Sequence, residues 1–437
     1  MTKKNGLYIF IEIVKCLLMG ALIGVVISLY KFAVSWVISL ASSLLESKDI
    51  LKMTFYIISL IIVMFVSYFL IRFDSEIQCG GLPQLEMNIR SKNGTIKWYK
   101  SLPLMFVNSL FSFFGGLPLG SEAPSTFMGG AVGIFANDIT NHHEEDDDIG
   151  LGMGVGLGVA FMAPISGICY GFEESLNKFS FKDLGKVILM TVNAFFVSYL
   201  INPHQLITMN IDASYNWMYS YSLFLIVIFS LPVAILMMKL TPKIKIFLNR
   251  HSRNFIIKYR FFFLFAILSL VFILFPLLGG SGRALIYRLF GDDKISLWWL
   301  LLVFLLVRLI TFFLGANSTA SGGLMFPTLT LGALIGALIN CIMRTTGMPE
   351  SQEKLIILIS MMALFGLVNK TPITGFFLIM SMGGYANILH YVGPALIAMT
   401  FVFILTRIID IDNITDSRRK LLRYSDRNKE VINSIND

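Results

Sequence analysis

Gly120-Ser121-Glu122-Ala123-Pro124-Ser125-Thr126-Phe127-Met128-Gly129 has a later counterpart in Gly323-Leu324-Met325-Phe326-Pro327-Thr328-Leu329-Thr330-Leu331-Gly332. Gly120, Pro124, Gly129 and Gly133 recur as Gly323, Pro327, Gly332 and Gly336, each 203 positions further on. A second pair, Ala163-Pro164-Ile165-Ser166-Gly167 and Thr371-Pro372-Ile373-Thr374-Gly375, recurs in the same order 208 positions apart. A duplicated chain is the simplest cause of two ordered matches, although glycine and proline are common in membrane helices and short strings of them also recur by composition. Each copy sets small residues and a proline at the start of an apolar run. Proline suits the first turn of a helix, where its missing N–H is not needed. Interrupted helices of this kind aim their N-termini, and the free N–H groups there, at an anion within the bilayer.

Composition places the chain in a membrane. Of its 437 residues 56% are hydrophobic and only 14% charged, well outside the range of soluble globular domains. Apolar segments at residues 7–31, 52–72, 98–118, 149–163, 183–201, 219–238, 261–279, 296–315, 354–369 and 392–411 can enter a bilayer. Several fall short of the ~20 residues a full span requires, and glycine or proline interrupts others. Tilted and partial helices are therefore expected, covered by protein or facing a water-filled path. The N-terminal stretch carries Glu12 and Lys15 and no small-residue cleavage site, so it reads as a retained anchor helix, with Glu12 and Lys15 pairing on one face.

The net charge of +8 is unevenly distributed. Residues 239–260 hold seven basic residues and no acid, and Arg407, Arg418, Arg419, Lys420, Arg423, Arg427 and Lys429 crowd the C-terminal stretch. By the positive-inside rule both regions and the N-terminus face the cytoplasm, giving a multi-pass protein of the cell membrane with both termini inside. The basic segment is read as a loop at the seam of the duplication, dividing residues 1–210 from 211–415 and leaving 416–437 as a short charged tail. A nucleic-acid partner would need a soluble domain, and none is expected. Cys16, Cys79, Cys169 and Cys341 lack paired spacing, so neither disulfides nor metal binding is implied. The run His142-His143-Glu144-Glu145-Asp146-Asp147-Asp148 has metal-ligand residue types without spaced geometry and reads as a solvated loop. Gly279-Gly280-Ser281-Gly282 lacks a preceding strand and His or Asp partners for hydrolase chemistry. An intramembrane enzyme or sensor on a transporter fold is the rival from another class, but five scattered histidines offer it no catalytic set.

Cys79-Gly80-Gly81-Leu82-Pro83, Gly120-Ser121-Glu122-Ala123-Pro124 and Gly323-Leu324-Met325-Phe326-Pro327, in this order, resemble the three anion-site strings of the CLC family of chloride channels and chloride/proton antiporters. With the later Pro-Ile-Ser/Thr-Gly segments the resemblance covers roughly residues 10–410. It implies an all-α polytopic fold of two inverted-topology repeats of tilted and broken helices. It also implies a homodimer with one anion path per subunit, no cofactor, and chloride and protons as the transported ions. Anion contacts are expected from Gly80, Gly81, Gly120, Ala123, Leu324 and Met325, largely through backbone N–H groups. Gly80 stands where the family has a serine, and the same string would serve as an ordinary turn before a helix. The third string, with Gly322 and Gly323 in it, would equally serve a tight small-residue helix contact of the Gly-x-x-x-Gly kind.

Glu122 takes the place of the external gating glutamate. A carboxylate in an apolar stretch costs roughly 2.5–3.5 kcal/mol at a helix centre, so it is expected to serve a path or a partner. At a helix N-terminus it competes with an anion for the same N–H groups and leaves when protonated. A helix-capping acid at a rim is the plainer alternative. Ser121 replaces a family arginine. Glu174, the second of two acids closing the run from Pro164, takes the place of the internal proton-transfer acid, although Ser175, Asn177 and Lys178 also suit a solvated helix end. The family's tyrosine from the last helix would fall near Thr415, where none is present. The expectation is chloride/proton antiport, with a passive or loosely coupled chloride channel as the main alternative and a fluoride or nitrate exchanger behind it. No room is expected in the tail for paired nucleotide-binding modules.

Overall fold

In the computed structural model, residues 3–46, 49–91, 96–140, 147–176, 179–201, 209, 211, 214–251, 254–291 and 295–422 are described, and their regular structure is helical. Seven of the helices are long and apolar enough to cross a membrane, among them Lys3–Glu46, Ile50–Phe73, Tyr221–Arg250 and Met325–Arg344. The first runs for 44 residues, about 66 Å at 1.5 Å per residue, and must tilt steeply to fit a bilayer core of about 30 Å. The segment read from the sequence stops at residue 31, yet the helix continues because residues 32–45 are also largely apolar and hold no glycine or proline. The apolar segments read from the sequence omit both Glu122–Thr140, which is not apolar enough to count as a span, and Met325–Arg344, which is. Both are nonetheless helices buried almost throughout.

These two helices form the centre with Asp147–Phe161 and Glu353–Asn369. Each repeat packs its pair through small residues. A Cβ on Gly129 would lie 2.2 Å from Gly152 O and one on Gly133 2.8 Å from Ile149 Cα. In the second repeat a Cβ on Gly332 would lie 2.7 Å from Met361 Cα and one on Gly336 2.6 Å from Ile357 Cα. Only glycine lets the backbones approach this closely. The outer helices, such as Ile50–Phe73, turn Phe55, Phe65 and Phe69 outward, as lipid-facing surfaces do.

The repeats meet through equivalent positions. Gly120 and Gly323 exchange backbone hydrogen bonds of 2.8 and 2.7 Å across an isolated antiparallel bridge. Ser166 Oγ likewise donates to Thr374 O at 2.9 Å, joining the two residues that match in the second repeated string. This is the geometry of two related halves facing each other about a common centre.

Four expectations change. Glu12 and Lys15 do not pair with each other: Lys15 contacts Asp148 at 2.6 Å and Asn137 at 3.1 Å, while Lys186 contacts Glu12 at 2.9 Å. Buried charges are drawn to partners on neighbouring helices, where the network Glu12–Lys186–Asp148–Lys15 removes them from lipid. Asp148 is accordingly buried at the first turn of Asp147–Phe161 and is no part of a solvated loop, while residues 142–146 lie outside the described residues. The basic segment 239–260 is not a loop at its start, since the helix Tyr221–Arg250 carries through it past Pro232 and Pro242. The tail is not simply solvated charge either. Residues 414–422 are helical, and Arg418 and Arg419 are buried. Residues 202–208, near the proposed boundary at 210, and residues 423–437 lie outside the described residues.

Candidate functional site

The Gly120–Gly323 bridge brings two helix starts side by side. One helix begins at Glu122, the other at Met325 after Leu324. Glu122 is 1% exposed and folds its carboxylate back against Gly120, where a Cβ would lie only 2.0 Å from Oε2. Ser121 Oγ donates weakly to Oε1 at 3.4 Å, and Oε2 has no hydrogen-bond partner. The backbone N–H groups of Ser121, Glu122 and Phe326 act on the carboxylate electrostatically, so both repeats contribute to its setting. A carboxylate at such a place sits where an anion would be held by free N–H groups and the positive ends of helix dipoles.

Behind it lies a cavity walled by Cys79, Leu82, Pro83, Ala123, Leu324 and Met325. Three interrupted helices therefore converge on it, because Leu82–Ser91 also starts there. Of the six residues expected to contact the anion, Ala123, Leu324 and Met325 line this cavity. Gly120 lies beside the Glu122 carboxylate. Gly80 and Gly81 sit behind the wall, with φ of +79° and +71°. A Cβ on Gly80 would lie 2.8 Å from Ala123 Cβ and 2.9 Å from Gly322 O, so this glycine allows the first repeat to touch the second. A serine would not fit here without a shift, and the neighbouring Cys79 lines the cavity instead.

Thr415 does reach this cavity, on the helical segment after Asn413, and Arg418 lies one turn further along the same face. The spacing of three residues between them was the available sequence signal, since i and i+3 share a helix face. The Arg418 guanidinium, the Cys79 thiol and the approach of Lys245 and Arg260 were not anticipated. The last two interact electrostatically with Cys79, although both belong to a segment read as fixing topology alone.

Glu173 and Glu174 occupy a π-helical turn, Gly171–Leu176, that follows Pro164–Tyr170. Their neighbours separate them. Glu173 accepts from the backbone N–H groups of Ile373 and Thr374 at 3.1 and 2.7 Å and from Thr374 Oγ1 at 2.6 Å. It thereby caps Pro372–Gly383, whose own N-cap residue makes no side-chain bond. Glu174 instead receives Asn413 Nδ2 on both oxygens, at 3.1 and 3.2 Å. Glu174 and Ser175 are both buried, so this helix end is not solvated, and Asn177 and Lys178 lie outside the described residues. Close by, Arg419 pairs with Glu86 at 2.7 Å and with Asp416. A second cavity, lined by Glu173, Glu174, Asn413, Asp416, Lys370 and Arg407, opens beside this group. The segment from Asn413 to Arg419 thus faces both cavities, the first through Thr415 and Arg418 and the second through Asn413 and Asp416.

The chain and its fold have clear relatives. The chain is 28% identical over 396 residues to the H(+)/Cl(-) exchange transporter ClcA of Vibrio parahaemolyticus, covering 85% of this chain and 82% of that protein. It is 27% identical over 398 residues to the protein of the same name from Vibrio cholerae, covering 87% and 83%. Among solved structures, a slow cyanobacterial Cl-/H+ antiporter superposes with a TM-score of 0.79 at 20% identity, over 94% of this chain and 97% of that one. A CLC-type fluoride/proton antiporter superposes with a TM-score of 0.75 at 17% identity, over 92% and 97%. Those structures share the fold of broken helices described above. Residues 62–404 match the model of the family described as voltage gated chloride channel, and the chain belongs to that family.

Proposed function

We propose that the protein exchanges chloride for protons across the membrane, with Glu122 as the gate that both ions share. The observation that carries this reading is the Glu122 carboxylate, buried against Gly120 where two repeats bring their helix N-termini together. Deprotonated, the side chain occupies the position of an anion. Protonated, it loses its attraction for the N–H groups and yields the place to chloride. Anion entry on one side then accompanies proton uptake from the other.

The ions need separate exits on the inner side, and two cavities support this. Chloride passes along the wall formed by Cys79, Ala123, Leu324 and Met325, with backbone N–H groups as its contacts. Protons reach Glu174 from the second cavity and continue between Glu174 and Glu122. Glu86, Asp416, Arg419 and Asn413 set the electrostatic surroundings of Glu174. The protein works as a homodimer with both termini in the cytoplasm, a placement supported by the basic residues at 239–260 and in the C-terminal stretch.

Purified protein in liposomes, with chloride and pH followed together, tests the exchange. A chloride gradient should drive proton movement, and Glu122→Gln should abolish that movement while chloride flux persists. In the wild type chloride flux should rise as pH falls, whereas in Glu122→Gln it should no longer depend on pH. Chloride flux without any pH change in the wild type would reveal a passive channel. Faster exchange in fluoride or nitrate than in chloride would reassign the substrate.

A further inference from the structure

The anion cavity has one charged side chain on its wall among the described residues, and the exchange scheme above makes no use of it. Arg418 is 4% exposed and lines the cavity with Cys79, Ala123, Leu324 and Met325. Its Nη2 donates to Ala316 O at 2.5 Å, which fixes the guanidinium plane. Its Nε–H is buried and has no acceptor. The neighbouring cations are compensated, Arg419 by Glu86 and Asp416 and Lys420 by Asp412, yet no carboxylate pairs with Arg418 among the described residues. Lys245 and Arg260 lie near enough to add to the positive field at Cys79, and Arg260 Nε is likewise buried without an acceptor. A buried, unpaired cation is costly to the fold and persists where something else supplies the missing negative charge.

We infer that Arg418 is a direct ligand of the transported anion, its Nε–H and positive charge meeting a halide held against the N-terminus at Leu324 and Met325. The inference rests on the reading of the protein as a chloride transporter. Thr415, one turn back on the same face, offers only a hydroxyl, and Gly80 offers no side chain. The guanidinium supplies a positive charge and a planar set of donors. A fixed cation raises the affinity of a pore site for an anion and slows the anion's departure. Lys245 and Arg260 draw anions toward the inner mouth, while Arg418 holds the one that enters. The carboxylate of Glu122 then competes for a site more positive than backbone N–H groups alone would make it.

Two measurements test this on the full chain. In crystals of the wild-type protein grown in bromide, anomalous scattering should place a bromide within hydrogen-bonding reach of Arg418 Nε and of the backbone at Leu324 and Met325. Chloride titration of the purified protein by calorimetry should give an affinity that falls at least tenfold in Arg418→Met and is largely kept in Arg418→Lys. A bromide seated away from Arg418, or an unchanged chloride affinity in Arg418→Met, overturns the inference. Should Arg418→Met not fold, the bromide position in the wild type decides alone. The outcome is separable from that of the transport reading. Halide flux with an Arg418-independent affinity removes only the role of Arg418, whereas absence of halide flux in the wild type removes both.

Discussion

At the residue scale the site depends on how little space surrounds Glu122. The carboxylate and the absent Cβ of Gly120 compete for one volume, since a Cβ there would lie 2.0 Å from Oε2 and 2.8 Å from Phe326 Cβ. Gly120→Ala should therefore expel the carboxylate from its seat without changing its chemistry. The expected result in liposomes is a higher chloride flux at neutral pH with fewer protons moved per chloride. Overpacking should also lower stability by about 1–3 kcal/mol, read as a lower melting temperature in detergent. Unaltered coupling at equal stability would mean that the folded-back position of Glu122 has no part in gating. That Glu122 would be buried at a helix start was legible from Gly-x-Glu-x-Pro in an apolar context. The need for glycine at 120 was not, because it arises from the side chain two residues on and from the second repeat.

At the element scale, neighbouring acids serve different structures. Glu173 caps the helix Pro372–Gly383 with three hydrogen bonds, whereas Glu174 faces Asn413 and the second cavity. Glu173→Ala should leave the orphan N–H groups of that helix unsatisfied and cost roughly 1–3 kcal/mol in stability, with proton coupling retained in the protein that folds. Glu174→Gln should do the reverse, reducing chloride-driven proton movement severely while melting temperature and chloride flux stay near wild type. Equal loss of coupling in both variants would place the proton route at the pair rather than at Glu174. Sequence pointed to the second acid only through the family resemblance. Both are followed by polar residues, and what separates them is the π turn, which points one carboxylate at the opposite repeat and the other at the C-terminal segment. Helix existence was legible wherever apolar residues ran unbroken. In Glu122–Thr140 and Met325–Arg344, which the apolar segments passed over, it was the repeated glycine and proline strings that marked the helix starts.

At the scale of the whole molecule, the repeated strings proved to be the points at which the halves touch. Gly120 meets Gly323 and Ser166 meets Thr374, so positions equivalent in sequence are partners in space. The duplication was readable from spacing, but spacing does not say that the copies face each other, and the C-terminal segment has no counterpart to reveal that it folds back into the site. Once it does, the groups of the proposed path are Cys79 and Glu122 from the first repeat, Leu324 and Asn413 from the second, and Arg418 from the tail. On the proposed scheme each subunit of the proposed homodimer is therefore expected to transport by itself. In a tandem dimer with Glu122→Gln in one half only, about half of the chloride-driven proton flux of the wild-type tandem should therefore remain, with chloride flux preserved in both halves. The measurement is the initial rate of proton movement in liposomes at low protein density, normalised to chloride flux per dimer. If the two gates moved together, the single substitution would instead silence proton movement entirely or leave it whole. Either result would mean that the two Glu122 sites of the proposed dimer are coupled and that the subunits do not exchange ions independently.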